Sequence, residues 1–389
     1  SKPLIVYFGI TDDYPEANER HYYFMLEGLI DVFYGLKKLG IKFILLHINP
    51  EKGLAFLSKK ACAVITDKGY TKIQKKWRKT SAETINCSFL EIETDVVVPV
   101  EIVSTKEEYS AATIRPKIKK HLNEFVFFEE IPSLKIISYN KKMHFDEIIN
   151  KTEMKIENID FKDFFSSMTI SNSVKKSFFF NGGENKAFFL LDEFINKKLS
   201  FYSNMRNEPS LNYSSDLSPY LHFGNISPVY IALKILESNI AENEKEAFLE
   251  ELIIRRELSI NFVYFNNNYD KFDYMTYPWA IKTLTEHKKD KRNYIYSLSQ
   301  LENSSTHDIY WNSAQTELVI TGKMHNYMRM YWGKKIIEWS ISPEEAYLNT
   351  VYLNNKYALD GRDPNSYTGI AWCFGKHDRA WKEREISGK

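Results

Sequence analysis

The hydrophobic pattern of this chain changes period near residue 180, and few architectures accommodate the change. Up to residue 128, apolar runs at 4–8, 43–46, 61–65 and 89–92 are separated by polar segments of helical length. Short apolar strands alternating with helices predict an α/β domain, a doubly wound parallel sheet with helices on both faces. Ligands on such sheets bind at the carboxyl ends of the strands. The first run carries no GxGxxG, only Gly9 followed by ITDD, so the usual dinucleotide turn is not expected there. Beyond residue 180 the period is helical and strand signals nearly vanish. At 389 residues the chain exceeds one ordinary core. The expected organisation is an α/β domain over 1–128, an inter-domain linker over 129–180 and a mainly α-helical domain over 181–389. The linker, rich in Lys, Asn, Ser and Phe, should be mostly irregular and pack through its aromatics. Asn181 is expected to cap the helix whose first turn holds Glu184.

Bulk properties exclude several classes. Hydrophobic residues make up 43% and aromatics 15%, which fits a well-packed globular protein and not a disordered chain. A net charge of +1 rules out a polybasic shell, although a localised basic face remains compatible with it. Cys62, Cys87 and Cys373 are widely separated, with no CxxC pair and no metal-ligand spacing, as expected in a reducing compartment. The first twenty residues do not read as a secretory signal, and no apolar stretch approaches the ~20 residues of a membrane helix. A soluble, intracellular monomer without a metal is expected.

Six of the seven tryptophans follow position 278. Trp332 and Trp339 are two helical turns apart and share a face. Tryptophan is both the largest packing residue and the side chain most easily oxidised by one electron, so spacing leaves two readings open, a core stripe or a redox relay. Ser218-Pro219 and Ser227-Pro228 each put a capping hydroxyl before a proline suited to a first helical turn. Several hydroxyls at helix N-termini make a candidate phosphate site, against the alternative of two well-capped helices. His222, His325 and His377 lack triad or metal spacing and are expected to be satisfied structural histidines.

Tyr202, the run Ser214 to Ser218 twelve residues later, and the following LSPYLHFGNIS resemble, in order, the FAD-phosphate segment of the photolyase/cryptochrome family. FLEELIIRRELSINF, HDIYWNSAQTELVITGKMHNYMRMYWGKKIIEW and LNNKYALDGRDPNSYTGIAWCFGKHDRAWKERE are similar to the class II cyclobutane pyrimidine dimer photolyases. The likeness is diffuse in the N-terminal part and dense from about Gly182 onward. It implies a helical FAD-binding domain in which reduced FAD absorbs light and passes one electron to a pyrimidine dimer flipped out of damaged DNA. The dimer splits and the electron returns. An antenna chromophore, a deazaflavin or a folate, is an optional addition in the N-terminal domain, and no residue there decides it.

Carried over residue by residue, the resemblance assigns Tyr202, Ser214, Ser215, Asp216, Leu217 and Ser218 to holding FAD. Asn354 matches an asparagine beside flavin N5, where an amide can re-aim as the N5 proton comes and goes. Asp360 matches an acid that approaches the flavin and pairs with an arginine, for which Arg329 is the counterpart. Arg362 of the same LDGRDP turn joins the cofactor set, and Arg255 is assigned to the FAD phosphates with Arg256 as a salt-bridge partner. On the lesion side Glu251 matches the glutamate that contacts the dimer. The ELIWREF pattern of class I has an aromatic where this chain has Ile254, so stacking on the dimer falls to Trp372 with Met330. Arg379 matches a position that enters the space left by the flipped dimer. Trp311, Trp332 and Trp339 align with electron-transfer tryptophans, Tyr296 is an outer donor, and Trp279 and Trp381 are assigned to packing.

Simpler readings compete. Glu251 and Arg255 at i,i+4 also fit a solvated helix face, and LDGRDP is ordinary turn chemistry. Tail cations Lys376, Arg379, Lys382, Arg384 and Lys389 suit phosphate contacts without sequence preference. The functional alternatives are a cryptochrome-like flavin photoreceptor without repair activity and a light-independent nucleotide-binding protein, which would leave the tryptophans unexplained.

Overall fold

A computed structural model describes residues 2–127, 133–141 and 147–388. The boundary expected at 128–129, and Lys389, lie outside the described residues. Four strands form where the apolar runs predict them: β1 (Ile5–Ile10), β2 (Lys42–His47), β3 (Ala63–Asp67) and β4 (Ser88–Ile92). They pair in parallel, β1 with β2 from Ile5↔Lys42 to Ile10↔His47, and β3 with β4 from Ala63↔Ser88 to Asp67↔Ile92. The parallel crossovers are helical, over Glu19–Lys38 and Lys72–Thr84. Each begins in a capping box, Asn18 with His21 and Thr71 with Gln74, which satisfies first-turn N–H groups. Among the described residues the strands stay as two pairs. β1 and β3 instead line a cavity of about 1480 Å³, with Trp77 and Arg78 among its other walls.

After β4 the elements are helical, from Val100–Val103 to Pro364–Cys373. The segment expected to be irregular holds short helices at Glu147–Thr152 and Phe161–Ser166. It packs on the first helix by a face-to-face Tyr23–Phe161 contact at 4.9 Å, and Glu153 bridges the edge of β2 at Leu46.

Two cap assignments are corrected. Gly183, at φ +116°, is the N-cap of the helix Glu184–Lys197, and Asn181 instead offers its carbonyl to the Tyr220 hydroxyl at 2.8 Å. A side chain at Gly183 would meet Asp31, whose carboxylate accepts the Asn185 N–H at 3.2 Å. Ser227 does cap Pro228–Glu237, but Ser218 is the first residue of Ser218–His222 and leaves its hydroxyl for another partner.

The helical half has two apolar centres. One gathers Trp311, Trp332, Trp339, Phe262, Tyr347 and Leu353. The other joins Phe24 of the first helix and Val97 and Val98 to Phe194, Tyr202, Tyr220 and Ile253. Strand-bearing and helical parts therefore share a core. Polar side chains of the helix Arg256–Phe265 complete the contact: Arg256 pairs with Asp95 at 2.6 Å, Glu257 accepts the Val97 N–H at 2.6 Å, and Asn261 accepts the Glu108 N–H at 2.7 Å. No described helix is long and apolar enough to cross a membrane.

Candidate active site

The helix carrying EELIIRREL is not uniform. Glu250–Arg255 is wound as a π-helix before the α-helix Arg256–Phe265, a local widening that recurs at functional sites. The i,i+4 pairing of Glu251 with Arg255 is therefore replaced. Arg255 meets Glu250 at i,i+5 and 3.5 Å, while Glu251 pairs with Arg206 at 2.7 Å. Arg206 also lies over the Tyr202 ring at 5.5 Å. Glu250 is held from the other side by a bidentate Arg115 at 3.0 and 2.7 Å, which keeps its carboxyl below the ordinary carboxylate value.

Arg255 lies on the Trp372 side of this turn. Its guanidinium lies over the Trp372 ring at 5.3 Å, its carboxylate partner is Glu250, and its buried Nε has no hydrogen-bond partner among the described residues. None of these neighbours belongs to the Ser214–Ser218 run, so the π turn carries Arg255 to the Trp372 side. Arg256, expected to form a salt bridge, does so with Asp95. Next to Trp372 in the chain, the Cys373 thiol is 3.8 Å from the Met330 sulfur. Arg379 is exposed and lies over Trp381 at 4.8 Å. Trp381 itself is 60% exposed, which overturns its assignment to packing.

The Ser-rich run is built around Asp216, a non-glycine residue at φ +61°. Burial would raise its carboxyl, but the charge of the contacting Lys323 prevails and holds it below the ordinary value. Lys323 also donates to the Ser214 hydroxyl at 3.1 Å, and Lys198 donates to the Ser214 carbonyl at 3.0 Å. Ser218 sends its hydroxyl to Asp360. Asp360 accepts from Arg329 at 3.1 and 3.4 Å, and these partners outweigh burial to keep it ionised. His325 accepts the Tyr327 N–H on Nδ1 at 3.2 Å. Burial, then the Lys323 charge, lower its pKa, so the neutral ring carries its proton on Nε2. That Nε2 is buried without a partner among the described residues, which corrects the expectation of a satisfied histidine.

Asn354 is buried on the last turn of the helix Pro343–Tyr357 and donates to Ser366 at 2.6 Å. Arg362, at φ +62°, donates its backbone N–H to the Asn355 side chain at 3.1 Å and its guanidinium to the Asn355 carbonyl at 2.5 Å, beside His21. Its buried Nε has no hydrogen-bond partner among the described residues. His222 pairs with Asp363 at 3.1 Å, and Asp363 caps Pro364–Cys373.

Trp311, Trp332 and Trp339 are all fully buried. Trp332 and Trp339 share a helix, yet their rings connect through Trp311 on the neighbouring helix Ile309–Thr321. Trp332 and Trp311 are parallel at 6.4 Å, Trp311 and Trp339 meet at 5.6 Å, and Trp339 and Tyr296 at 5.4 Å. The path continues through His307 to Tyr294, which is 49% exposed. Each inner indole is fixed by a hydrogen bond, Trp311 to the Trp332 carbonyl at 3.0 Å and Trp332 to Gln315 at 2.9 Å.

A family model described as DNA photolyase matches residues 1–135. The chain is 47% identical over 390 residues to a deoxyribodipyrimidine photo-lyase of Methanothermobacter thermautotrophicus, covering all of this chain and 83% of that one. The chain belongs to the DNA photolyase family. A deoxyribodipyrimidine photo-lyase of Potorous tridactylus is 37% identical over 393 residues, covering all of this chain and 71% of that protein. Its activity is accordingly that of a DNA photolyase, and the cryptochrome-like reading is not favoured. The fold is shared more widely. An Agrobacterium tumefaciens class III photolyase superposes with a TM-score of 0.71 at 19% identity, over 97% of this chain and 75% of that one. A Synechocystis cryptochrome superposes with a TM-score of 0.74 at 15% identity, over 98% and 78%.

Sequence reasoning missed three residues around these clusters and read His325 as structural only. Arg206, Lys198 and Lys323 reach their partners through folding, and no spacing rule links Lys198 to Ser214 or Arg206 to Glu251. The π turn had one available sign, the doubled arginine of IIRREL where ELIWREF has one.

Proposed function

We propose that this photolyase splits cyclobutane pyrimidine dimers in DNA by light-driven electron transfer from bound, reduced FAD, as the class II enzymes do. The observation that carries the reading is the path of rings from Trp332 through Trp311 and Trp339 to Tyr296, buried at one end and near the surface at the other. A packed core needs no such order, and a relay for delivering electrons to an internal acceptor does.

The residues around the Ser-rich run fit a dinucleotide's phosphates. Lys198, Lys323 and the Ser215 hydroxyl supply donors, and the unpartnered Nε2–H of His325 beside them lacks an acceptor that a phosphate oxygen would provide. Tyr202, Leu217, Arg329 and Asp360 would complete the binding set, and Asn354 would meet the flavin ring. When bound, FAD supplies the light-absorbing electron donor. Glu251, Arg206, Arg255, Trp372 and Met330 form the side that receives the dimer. Trp372 offers a stacking face, and two guanidinium groups favour negative charge developing on the pyrimidine carbonyls. Flipping the dimer costs a few kcal/mol, and Arg379 at the exposed tail would fill the space it leaves. The cavity between β1 and β3 supports a second chromophore, a deazaflavin or a folate.

The test is to reduce the purified protein and illuminate it with dimer-containing DNA. Dimers should disappear only in light. Bound flavin without repair would favour a photoreceptor, and absence of flavin would overturn both readings.

A further inference from the structure

The helix carrying Asn354 and the helix carrying Trp311 end side by side, and both ends are held by one residue from the other part of the molecule. Arg20 stands at the start of Glu19–Lys38 and is almost fully buried. Its guanidinium makes no carboxylate contact among the described residues. It donates to the Leu318 and Val319 carbonyls at 3.3 and 2.6 Å, to the Tyr357 carbonyl at 3.0 Å and to the Lys175 carbonyl at 2.9 Å. The first two belong to the last turn of Ile309–Thr321, and the third is the last residue of Pro343–Tyr357. A helix leaves its final carbonyls unpaired and carries partial negative charge there, so two helix ends together offset the burial of one cation.

Neighbours of Arg20 extend the grip in order along the chain. Glu16 accepts from the Asn355 side chain, Asn18 donates to the Lys356 carbonyl at 2.7 Å, Arg20 takes Tyr357, and His21 Nε2 takes the Ala358 carbonyl at 3.1 Å. His21 Nδ1 accepts the Asn18 N–H at 3.1 Å, so the ring is the neutral Nε2–H tautomer. Between the two helices the direct backbone link at this end is Leu359 N–H to the Gly322 carbonyl at 2.8 Å. Inward from these ends lie Asn354, one residue before the gripped stretch, and Gln315, one turn before Leu318, which orients the Trp332 indole.

We propose that Arg20 is a positioning residue that fixes the helix bearing Trp311 and Gln315 relative to the helix bearing Asn354, so that flavin photoreduction depends on a residue of the N-terminal helix. The inference rests on the relay and flavin assignments above. No other described side chain bonds to both helix ends. Arg20 touches none of the residues assigned to flavin or dimer, so its loss should act through the placement of Trp311 and Trp332 relative to the flavin side.

The test compares wild type, Arg20→Met and Arg20→Lys, each loaded with flavin, by amide hydrogen exchange and by the rate at which light reduces the oxidised flavin. In Arg20→Met, exchange should rise at both residues 318–322 and 356–359. Photoreduction should slow on the order of tenfold, inside the ~10²-fold that ~1 Å of misplacement costs a reacting geometry. Repair by chemically reduced enzyme should be nearly unchanged. Arg20→Lys, which keeps the charge but not the fork of donors, should fall between, and it serves alone if Arg20→Met does not fold. Unchanged exchange, a rise at one end only, or equal loss of photoreduction and repair overturns the proposal. Trp332→Phe in the same assay separates the two levels: wild-type photoreduction there refutes the relay itself, whatever Arg20 does.

Discussion

Glu257→Gln offers a measurement in which the structure sets both sign and size. The carboxyl is 3% exposed, accepts the Val97 and Val98 N–H groups on Oε1 at 2.6 and 3.3 Å, and leaves Oε2 without a partner among the described residues. Burial pushes its pKa from 4.5 up to about 8, against the lowering pull of the two N–H bonds and Arg256. Because the folded value is the higher one, its contribution to stability is complete below pH 4.5 and is lost as pH rises through about 8. Between pH 6 and 8 the unfolded acid is ionised while most of the folded acid keeps its proton. At ~1.4 kcal/mol per pH unit, less a little as the folded group starts to ionise, the protein should lose about 2 kcal/mol over that interval. The glutamine keeps the acceptor for both N–H groups and does not titrate. Its new amide donors, facing the unpartnered side, impose a cost of ~1–3 kcal/mol that is the same at both pH values. For a chain of 389 residues the difference corresponds to about 2–3 °C in Tm. Thermal melting of both proteins at pH 6 and pH 8 isolates the effect, since every other titrating group cancels between them. Parallel pH dependence in wild type and variant would refute a neutral buried acid at this position.

Other outcomes follow from the site. Trp332→Phe should slow photoreduction of oxidised flavin yet spare repair by chemically reduced enzyme; equal loss of both would return the tryptophans to core packing. Arg255→Leu should weaken binding of dimer-containing DNA while flavin content stays at the wild-type level, and loss of flavin instead would restore Arg255 to the phosphate set. Arg329→Met leaves the half-buried Asp360 with Ser218 as its remaining partner, which should cost ~1–3 kcal/mol. A matching drop in Tm with reduced flavin retention would bear this out, and an unchanged Tm would argue that Asp360 is protonated.

The legible part of the fold was the part governed by local period. All four strands lie on the apolar runs, and a helix begins at Glu184, where the pattern turns to helical spacing. The caps were read less well. Asn181 and Ser218 have the right chemistry for N-caps, but a glycine at φ +116° and a carboxylate from Asp360 claimed the geometry and the hydroxyl. At the site, motif order brought Ser218, Arg329 and Asp360 to notice together, and they do meet. The identity of the tryptophans was equally plain, whereas their sequence in space was not, since Trp311 inserts between two residues of one helix.

What local pattern hid is the partner of each buried charge. EELIIRRELSINF reads as a helix with a solvated, charged face, because glutamates and arginines at such density usually meet water. In the folded protein Arg256, Glu257 and Asn261 are buried, and each reaches across more than a hundred residues of chain, to Asp95, Val97 and Glu108. Arg20 does the same in the other direction, to Val319 and Tyr357. Local windows cannot see these bonds, yet their physical requirement is strict, because an unpaired buried charge costs several kcal/mol. Polar residues on one helical half are therefore satisfied only when the strand-bearing half is docked. It follows that geometry around Asn354 and the π turn is set jointly by both halves, and that a substitution in the first twenty-one residues can reach the tryptophan path without touching it.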